Sequence, residues 1–419
     1  MSEKLNVVKQ PGFLKLWIGQ SISSVGSQMT GMAIPVIAVL FLKANELEMG
    51  FLNAASTSAF LVVGLLAGAL VDRWVKRKVM IIADLVRMVA IGVIPILYLN
   101  NILNIYQLIV IAMITSVASV FFDVSYQSYI PILLPKEYIG IGNSRLEITS
   151  QISGIGGPAI VGALLKVIKA PLLLIFDALS FLVSAFSLLL IKDREVPKPK
   201  SERKPLKTEI AEGLKFVWNQ RLIRAISFTT STSNLCTTIV GTMYALYFFN
   251  AGYLHFDTAQ FGLLATIGSL GGLLGASLTP KLIKFFGEGP LIVISSIAMG
   301  VAQLLIPVAY YLPKGLALVV LAADGFITSF TVLTYNITQV TARQRLCPEH
   351  LLGRMNASIR FMVWGSMPIG ALISGLLGHT IGIIPTIWLG ACGALFSACF
   401  VIFSPLRTMR EMPQEPETK

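Results

Sequence analysis

Residues 19–31 read GQSISSVGSQMTG and residues 229–241 read TTSTSNLCTTIVG. At an offset of 210, Gln20, Ser23, Ser24, Ser27, Gln28 and Gly31 fall opposite Thr230, Ser233, Asn234, Thr237, Thr238 and Gly241. The increments of 3, 4, 7 and 8 place each set on one face of an α-helix. Both stretches lie inside long apolar runs, so a polar stripe on a hydrophobic helix occurs twice in the chain.

The same spacing extends beyond this pair. Ser116, Ser119, Asp123, Tyr126 and Gln127 match Thr328, Thr331, Tyr335, Thr338 and Gln339 at an offset of 212. Pro135, Gly140, Asn143, Gly157 and Gly162 match Pro348, Gly353, Asn356, Gly370 and Gly375 at 213, and Gly64 matches Gly272 at 208. Nearly constant offsets over four helix pairs indicate two copies of one unit in the same orientation, a parallel repeat about an axis along the membrane normal.

Composition supplies the solvent. The 419-residue chain is 55% hydrophobic and 13% charged, more apolar than one water-soluble core can hide. Crossing about 30 Å of hydrocarbon takes roughly 20 residues of helix. Twelve apolar windows of that order occur, at 13–42, 49–71, 79–99, 105–131, 144–166, 171–191, 221–250, 257–280, 290–312, 316–342, 355–377 and 385–405. Helices are expected because lipid offers backbone amides no partners. The first window lacks a small-residue cleavage site and reads as a retained span. The fold class predicted is all-α integral membrane, with twelve transmembrane helices in two parallel six-helix repeats.

Charge sets orientation. Of the 33 Lys and Arg, the odd-numbered connections hold Lys43, Lys166, Lys169 and Lys314, and the remainder concentrate at the termini, in the even-numbered connections and near those helix ends. The positive-inside rule then predicts that both termini are cytoplasmic, in a multi-pass protein of the plasma membrane. The net charge of +12 reports orientation and attraction to anionic headgroups, and nucleic acid is not an expected partner. The polar, proline-bearing stretch 192–220 separates a bundle at 1–191 from one at 221–405, with a tail at 406–419; its segment LKTEIAEGLKFVW reads as an amphipathic interfacial helix. Cys236, Cys347, Cys392 and Cys399 have no metal-ligand spacing and read as apolar filler.

Ser, Thr and Gly also permit close helix packing in lipid. Gln, Asn, Asp and Tyr suit a dry seam poorly, because each unsatisfied polar group at membrane depth costs a few kcal/mol. A water-filled cavity accounts for all four stripes. It is predicted to be lined by Gln20, Ser24, Ser27, Gln28, Ser119, Asp123, Gln127, Thr230, Asn234, Thr237, Thr238, Thr331 and Tyr335.

From FLKLWIGQSISSVGSQM (13–29) through LLGRMNASIRFMVWGSMPIG (351–370), the chain resembles the major facilitator superfamily of secondary transporters, within it the macrolide-efflux and enterobactin-exporter branch. The resemblance implies that the first, fourth, seventh and tenth helices line the cavity. The stretch GALVDRWVKRK (68–78) resembles the family's loop signature between helices two and three, carried by Gly68, Asp72, Arg73, Lys76 and Arg77, with Val75 where the pattern has glycine and Pro280 at the position related to Asp72. The resemblance implies a cytoplasmic latch in which Asp72 faces a helix N-terminus or an arginine. GIGGPAIVG (154–162) resembles the Gly-Pro signature of proton-driven antiporters with variant spacing, and the fourth-helix arginine of drug–proton antiporters is replaced by Thr115.

Ionisable residues inside the windows therefore carry the question of coupling. Asp123, seven residues before Ile130 and so about 10 Å below the helix end, is the leading proton site, expected to be poorly solvated among Phe121, Phe122 and Val124; Asp324 is the second. Asp177 reads as a packing group, Asp84 with Arg87 and Glu147 with Arg360 as structural or gate charges, and His255, His350 and His379 as loop residues. No nucleophile–base set, metal cluster or phosphate loop is present, so neither an enzyme nor a cofactor is expected. The function expected is secondary active export of a small amphipathic compound (a drug, macrolide or siderophore-like molecule) by alternating access, with protons as the counter-ion and the protein acting as a monomer. The alternatives are an uptake transporter or lipid flippase on the same fold, or a non-transporting membrane sensor.

Overall fold

The computed structural model describes residues 10–71, 73–192, 195, 206–348 and 351–411. Asp72, His350, most of the stretch 193–205 and the tail from 412 lie outside the described residues. Among the described residues every regular element is helical: α1 Pro11–Val36, α2 Glu46–Thr57, α3 Ala59–Val62, α4 Gly64–Val71, α5 Lys76–Leu99, α6 Ile105–Leu133, α7 Lys136–Leu164, α8 Ala170–Leu189, α9 Leu206–Asn219, α10 Arg221–Phe249, α11 Thr258–Phe286, α12 Glu288–Gln303, α13 Leu305–Val308, α14 Lys314–Leu346, α15 Leu352–Ile381, α16 Ile383–Ser397 and α17 Cys399–Ile402. Nine helical segments among these residues are long and apolar enough to cross a bilayer. The other three windows are helical but more polar or interrupted: 144–166 lies in α7, 221–250 in α10, and 49–71 in α2 to α4.

The window 49–71 was expected as one span, and the structure corrects this. It breaks at Ser58 and Val63. Just before the first break, the Ser56 hydroxyl donates to the Leu52 carbonyl and the Thr57 hydroxyl to the Asn53 carbonyl, a backbone competition that bends helices. His379 is also corrected from loop to helix: it is exposed in the last turn of α15, where a basic side chain complements the exposed carbonyls.

The chain divides into two compact units, residues 1–44 with 58–203, and residues 45–57 with 204–419. In the first unit, α8 packs against both α1 and α5, and α5 against α6. Small residues bring α1 onto α8: a Cβ at Gly26 would meet Asp177 Oδ1 at 2.6 Å. In the second unit α11 lies on α14, with Gly271 and Gly275 against the Phe326 and Phe330 backbone, and α10 lies on α15 and α16. Helix α2 belongs here too. Gly50 crosses Gly375 so closely that a Cβ would sit 2.8 Å from the opposing Cα, and Asn53 Nδ2 donates to Thr242 Oγ1 at 2.8 Å.

The start of the third helix of each repeat is capped by the chain that follows the sixth. In the first unit the Glu195 carboxylate accepts from the Lys76 and Arg77 amides (2.9 and 3.3 Å) and pairs with Lys76 Nζ at 3.2 Å. In the second, the Glu288 and Gly289 amides donate to the Arg410 and Met409 carbonyls (3.0 and 3.1 Å). The amphipathic helix expected in the linker is α9; it packs on α15, where Glu212 pairs with Arg354.

Candidate functional site

Helices α1, α6 and α7 of the first unit enclose a cavity of about 600 Å³. Its wall includes Gln20, Ser24, Asp123 and Gln127, four of the residues expected from the stripes, together with Trp17, Tyr126, Asn143 and Thr149. Trp17 Nε1 donates to Thr149 Oγ1 at 2.8 Å, tying α1 to α7. Gln20 Nε2 donates to Ser184 Oγ at 3.2 Å, tying the wall to α8. This mixture of amide, hydroxyl, carboxylate and indole groups suits a ligand with both polar and apolar faces.

Asp123 is corrected. It was expected to be buried among aromatic neighbours, but it is exposed on the cavity wall; Phe122, one residue back along the helix, takes the buried position. Its rotation follows from the polar stripe itself, since Asp123 and Gln127 are one turn apart. Other stripe members have different roles. Ser27 is exposed and Ser119 half-buried, both away from the described cavity wall, and Gln28 packs where a Cβ at Gly157 would lie, against α7. Ser23 is buried.

The matching stripes of the second unit are mostly closed. Thr331, Tyr335, Thr338 and Gln339 are buried, and Tyr335 Oη and Thr230 Oγ1 share a hydrogen bond of 2.7 Å. Asn234 Nδ2 donates to the Val363 carbonyl at 3.2 Å, Gln303 Nε2 donates to Thr237 Oγ1 at 3.2 Å, and Thr238 Oγ1 donates to the Asn234 carbonyl at 2.7 Å. Asp324 is buried, and its Oδ1 accepts from Thr328 Oγ1 at 3.0 Å.

At the loop signature, Gly68 lies in α4, Arg73 is exposed, Lys76 pairs with Glu195, and Arg77 donates to the Ile191 carbonyl. Asp72 lies outside the described residues; at the start of α5 a carboxylate meets the helix N-terminus from Glu195. Sequence reading missed Glu195 because it sits in a basic, proline-rich stretch with no periodicity; its offset of about 214 from Met409 and Arg410 was the available signal.

Residues 3–419 match the family of transmembrane secretion effectors in the major facilitator superfamily. The chain belongs to this family. It is 25% identical over 404 residues to the multidrug efflux pump Tap of Mycolicibacterium fortuitum, covering 94% of this chain and 96% of that protein. It is 23% identical over 405 residues to macrolide efflux protein A of Streptococcus pyogenes, covering 94% and 95%. Among solved structures, a bacterial homologue of the iron transporter ferroportin in an inward-facing state superposes with a TM-score of 0.74 at 16% identity (95% of this chain, 99% of that one). The nucleoside transporter NupG gives 0.72 at 15% identity (93% and 97%). These likenesses show the fold. The protein is thus a multi-pass membrane transporter of small molecules and not an enzyme.

Proposed function

We propose that this transporter exports a small amphipathic compound of the macrolide or cationic-drug type from the cytoplasm by alternating access, exchanging it for protons across twelve spans with both termini cytoplasmic. The cavity of the first unit carries the reading. Its wall offers Trp17 and Tyr126 for stacking, the Gln20, Asn143 and Gln127 amides for hydroxyl-rich ligands, and the exposed Asp123 carboxylate for an amine. Efflux activity in the names of full-length relatives supports the direction.

In this reading Gln20, Ser24, Asp123 and Gln127 touch substrate. Asp123 serves the substrate amine, while Asp324, whose described partner is a neutral hydroxyl, is retained as a coupling group. Gly68, Asp72, Arg73, Lys76 and Arg77 form the cytoplasmic latch. The test is uptake of a radiolabelled macrolide and of ethidium into everted membrane vesicles. Accumulation that is energised by a proton gradient, abolished by an uncoupler and reduced in Asp123→Asn supports the reading; gradient-independent uptake equal to that of empty-vector vesicles overturns it.

A further inference from the structure

Behind the cavity wall, three ionisable side chains meet in the interior of the first unit. Asp84 and Arg87 are helix neighbours on α5, one turn apart at mid-helix, and form a buried ion pair. The guanidinium is held between two rings, 4.3 Å from the Phe122 centroid and 4.4 Å from that of Phe181. From α8 comes Asp177, fully buried, which accepts from Thr30 of α1 and, at 3.1 Å, from Ser180 Oγ. Among the described residues, the charges acting on Asp177 are those of Arg87 and Asp84. Helices α1 and α6 present neutral groups to the cluster, Thr30 and Phe122; Asp123 faces the cavity.

The guanidinium thus pairs with Asp84 and acts on Asp177 through space, so two carboxylates at membrane depth have one positive charge near them. An ionised carboxylate has about four acceptor sites to fill. Asp84 uses one oxygen on Arg87 and has the Ser184 hydroxyl of α8 beside it, while Arg87 Nε is buried with no hydrogen-bond partner. A second uncompensated negative charge in such a site is costly, and a proton is the smallest cation that removes it.

The second repeat shows that the fold does not require these charges. At an offset of 212, Asp84 and Arg87 correspond to Ser296 and Met299, and at 213 Asp177 corresponds to Gly390. The packing confirms the register: Gly390 lies against Val240 and Cys236, the counterparts at 210 of Thr30 and Gly26, which lie against Asp177. The same helical crossing is therefore built once with neutral groups and once with three charges.

We propose that Asp84, Arg87 and Asp177 form a binding site for one proton, and that its occupancy is transmitted to the cavity face of α1 through Thr30 and Gln20. With the proton bound, one carboxyl is neutral and the other remains paired with Arg87. On release the cluster carries a net negative charge, and the Thr30 hydroxyl is held as a donor to Asp177 while Gln20 holds Ser184 on the same helix. Substrate reorienting Gln20, and proton release reorienting Thr30, act at two points along the one contact between α1 and α8. This deepens the proton-antiport reading and rests on it for the coupling role.

The test combines infrared spectroscopy with transport on the full-length protein in proteoliposomes. With carbon-13 aspartate incorporated, the wild-type protein at neutral pH shows isotope-shifted carbonyl stretches of protonated aspartic acid, of which one component is lost on raising the pH and is missing from both Asp84→Asn and Asp177→Asn, while any contribution of Asp324 remains. Absence of that component from the wild-type protein, or its persistence unchanged in both variants, overturns the site. For transport of a radiolabelled macrolide, Asp177→Asn loses accumulation driven by a pH gradient but retains counterflow. Gradient-driven accumulation at the wild-type level in Asp177→Asn overturns the coupling role while leaving antiport intact. A wild-type protein indifferent to the gradient overturns antiport itself, and the infrared band still decides whether the cluster holds a proton.

Discussion

The two units use one helical plan and treat polarity in opposite ways. In the first, Gln20, Ser24, Asp123 and Gln127 open onto a cavity, and charge is stored one layer behind it at Asp84, Arg87 and Asp177. In the second, the counterparts Thr230 and Tyr335 bond to each other, Gln339 is buried, and the layer behind is Ser296, Met299 and Gly390. The pairing of Asp123 with Tyr335 captures the difference: the short carboxylate leaves space and requires water, whereas the phenol fills the space and closes it with a hydrogen bond. A repeat therefore fixes which faces meet, and single substitutions at those faces decide whether they enclose solvent.

The largest expected effect comes from removing the cation of the cluster. Arg87→Met, which installs the residue of the second repeat, strands two carboxylates and should lower stability by about 3–5 kcal/mol. Adding Asp84→Ser and Asp177→Ala should recover most of that loss, because the second repeat packs the same crossing without charge. Thermal unfolding of the detergent-purified variants measures both. A triple variant no more stable than Arg87→Met would mean that the charges hold the fold together, breaking the comparison.

Exchanging the cavity residue comes next. Asp123→Tyr gives the first unit the side chain of the second, and macrolide binding followed by quenching of tryptophan fluorescence should weaken at least tenfold, about 1.4 kcal/mol. Unchanged affinity would place the ligand elsewhere. The reverse probe is milder: Tyr335→Phe removes the bond to Thr230 and should cost about 1 kcal/mol of stability with little change in binding.

The smallest effect concerns the helix starts. Glu195→Gln weakens the cap on α5 and its pairing with Lys76, at about 1 kcal/mol. The corresponding cap on α12 is made by backbone carbonyls and offers no side chain to remove. Hydrogen exchange at the first turn of α5, with α12 as the internal control, should rise in the first helix alone.

Much of this plan was legible in the sequence. Apolar windows gave the helices, and the offsets near 212 gave the repeat, because hydrophobic length and helical period are local properties. The amphipathic linker helix α9 was legible for the same reason. What escaped were properties of facing surfaces. Periodicity put Ser23 on the polar stripe of α1 and Asp123 on that of α6, yet only packing decides that Asp123 meets the cavity and Ser23 the protein interior. Asp84 and Arg87 looked like a local pair because their third partner, Asp177, lies 90 residues further along the chain. The break after Thr57 arises from hydroxyls competing for backbone carbonyls, which hydropathy does not register.

The central claim is that the polar stripe of the first repeat is an open substrate wall and that of the second is largely internal packing. Single cysteines at Ser24 and at the symmetry-related Asn234, in a protein whose four native cysteines are replaced, test it most directly. A water-soluble maleimide should modify the Ser24→Cys protein rapidly and be blocked by excess macrolide, while the Asn234→Cys protein reacts more slowly. Equal rates at the two positions, or labelling of Ser24→Cys that macrolide leaves untouched, would contradict it.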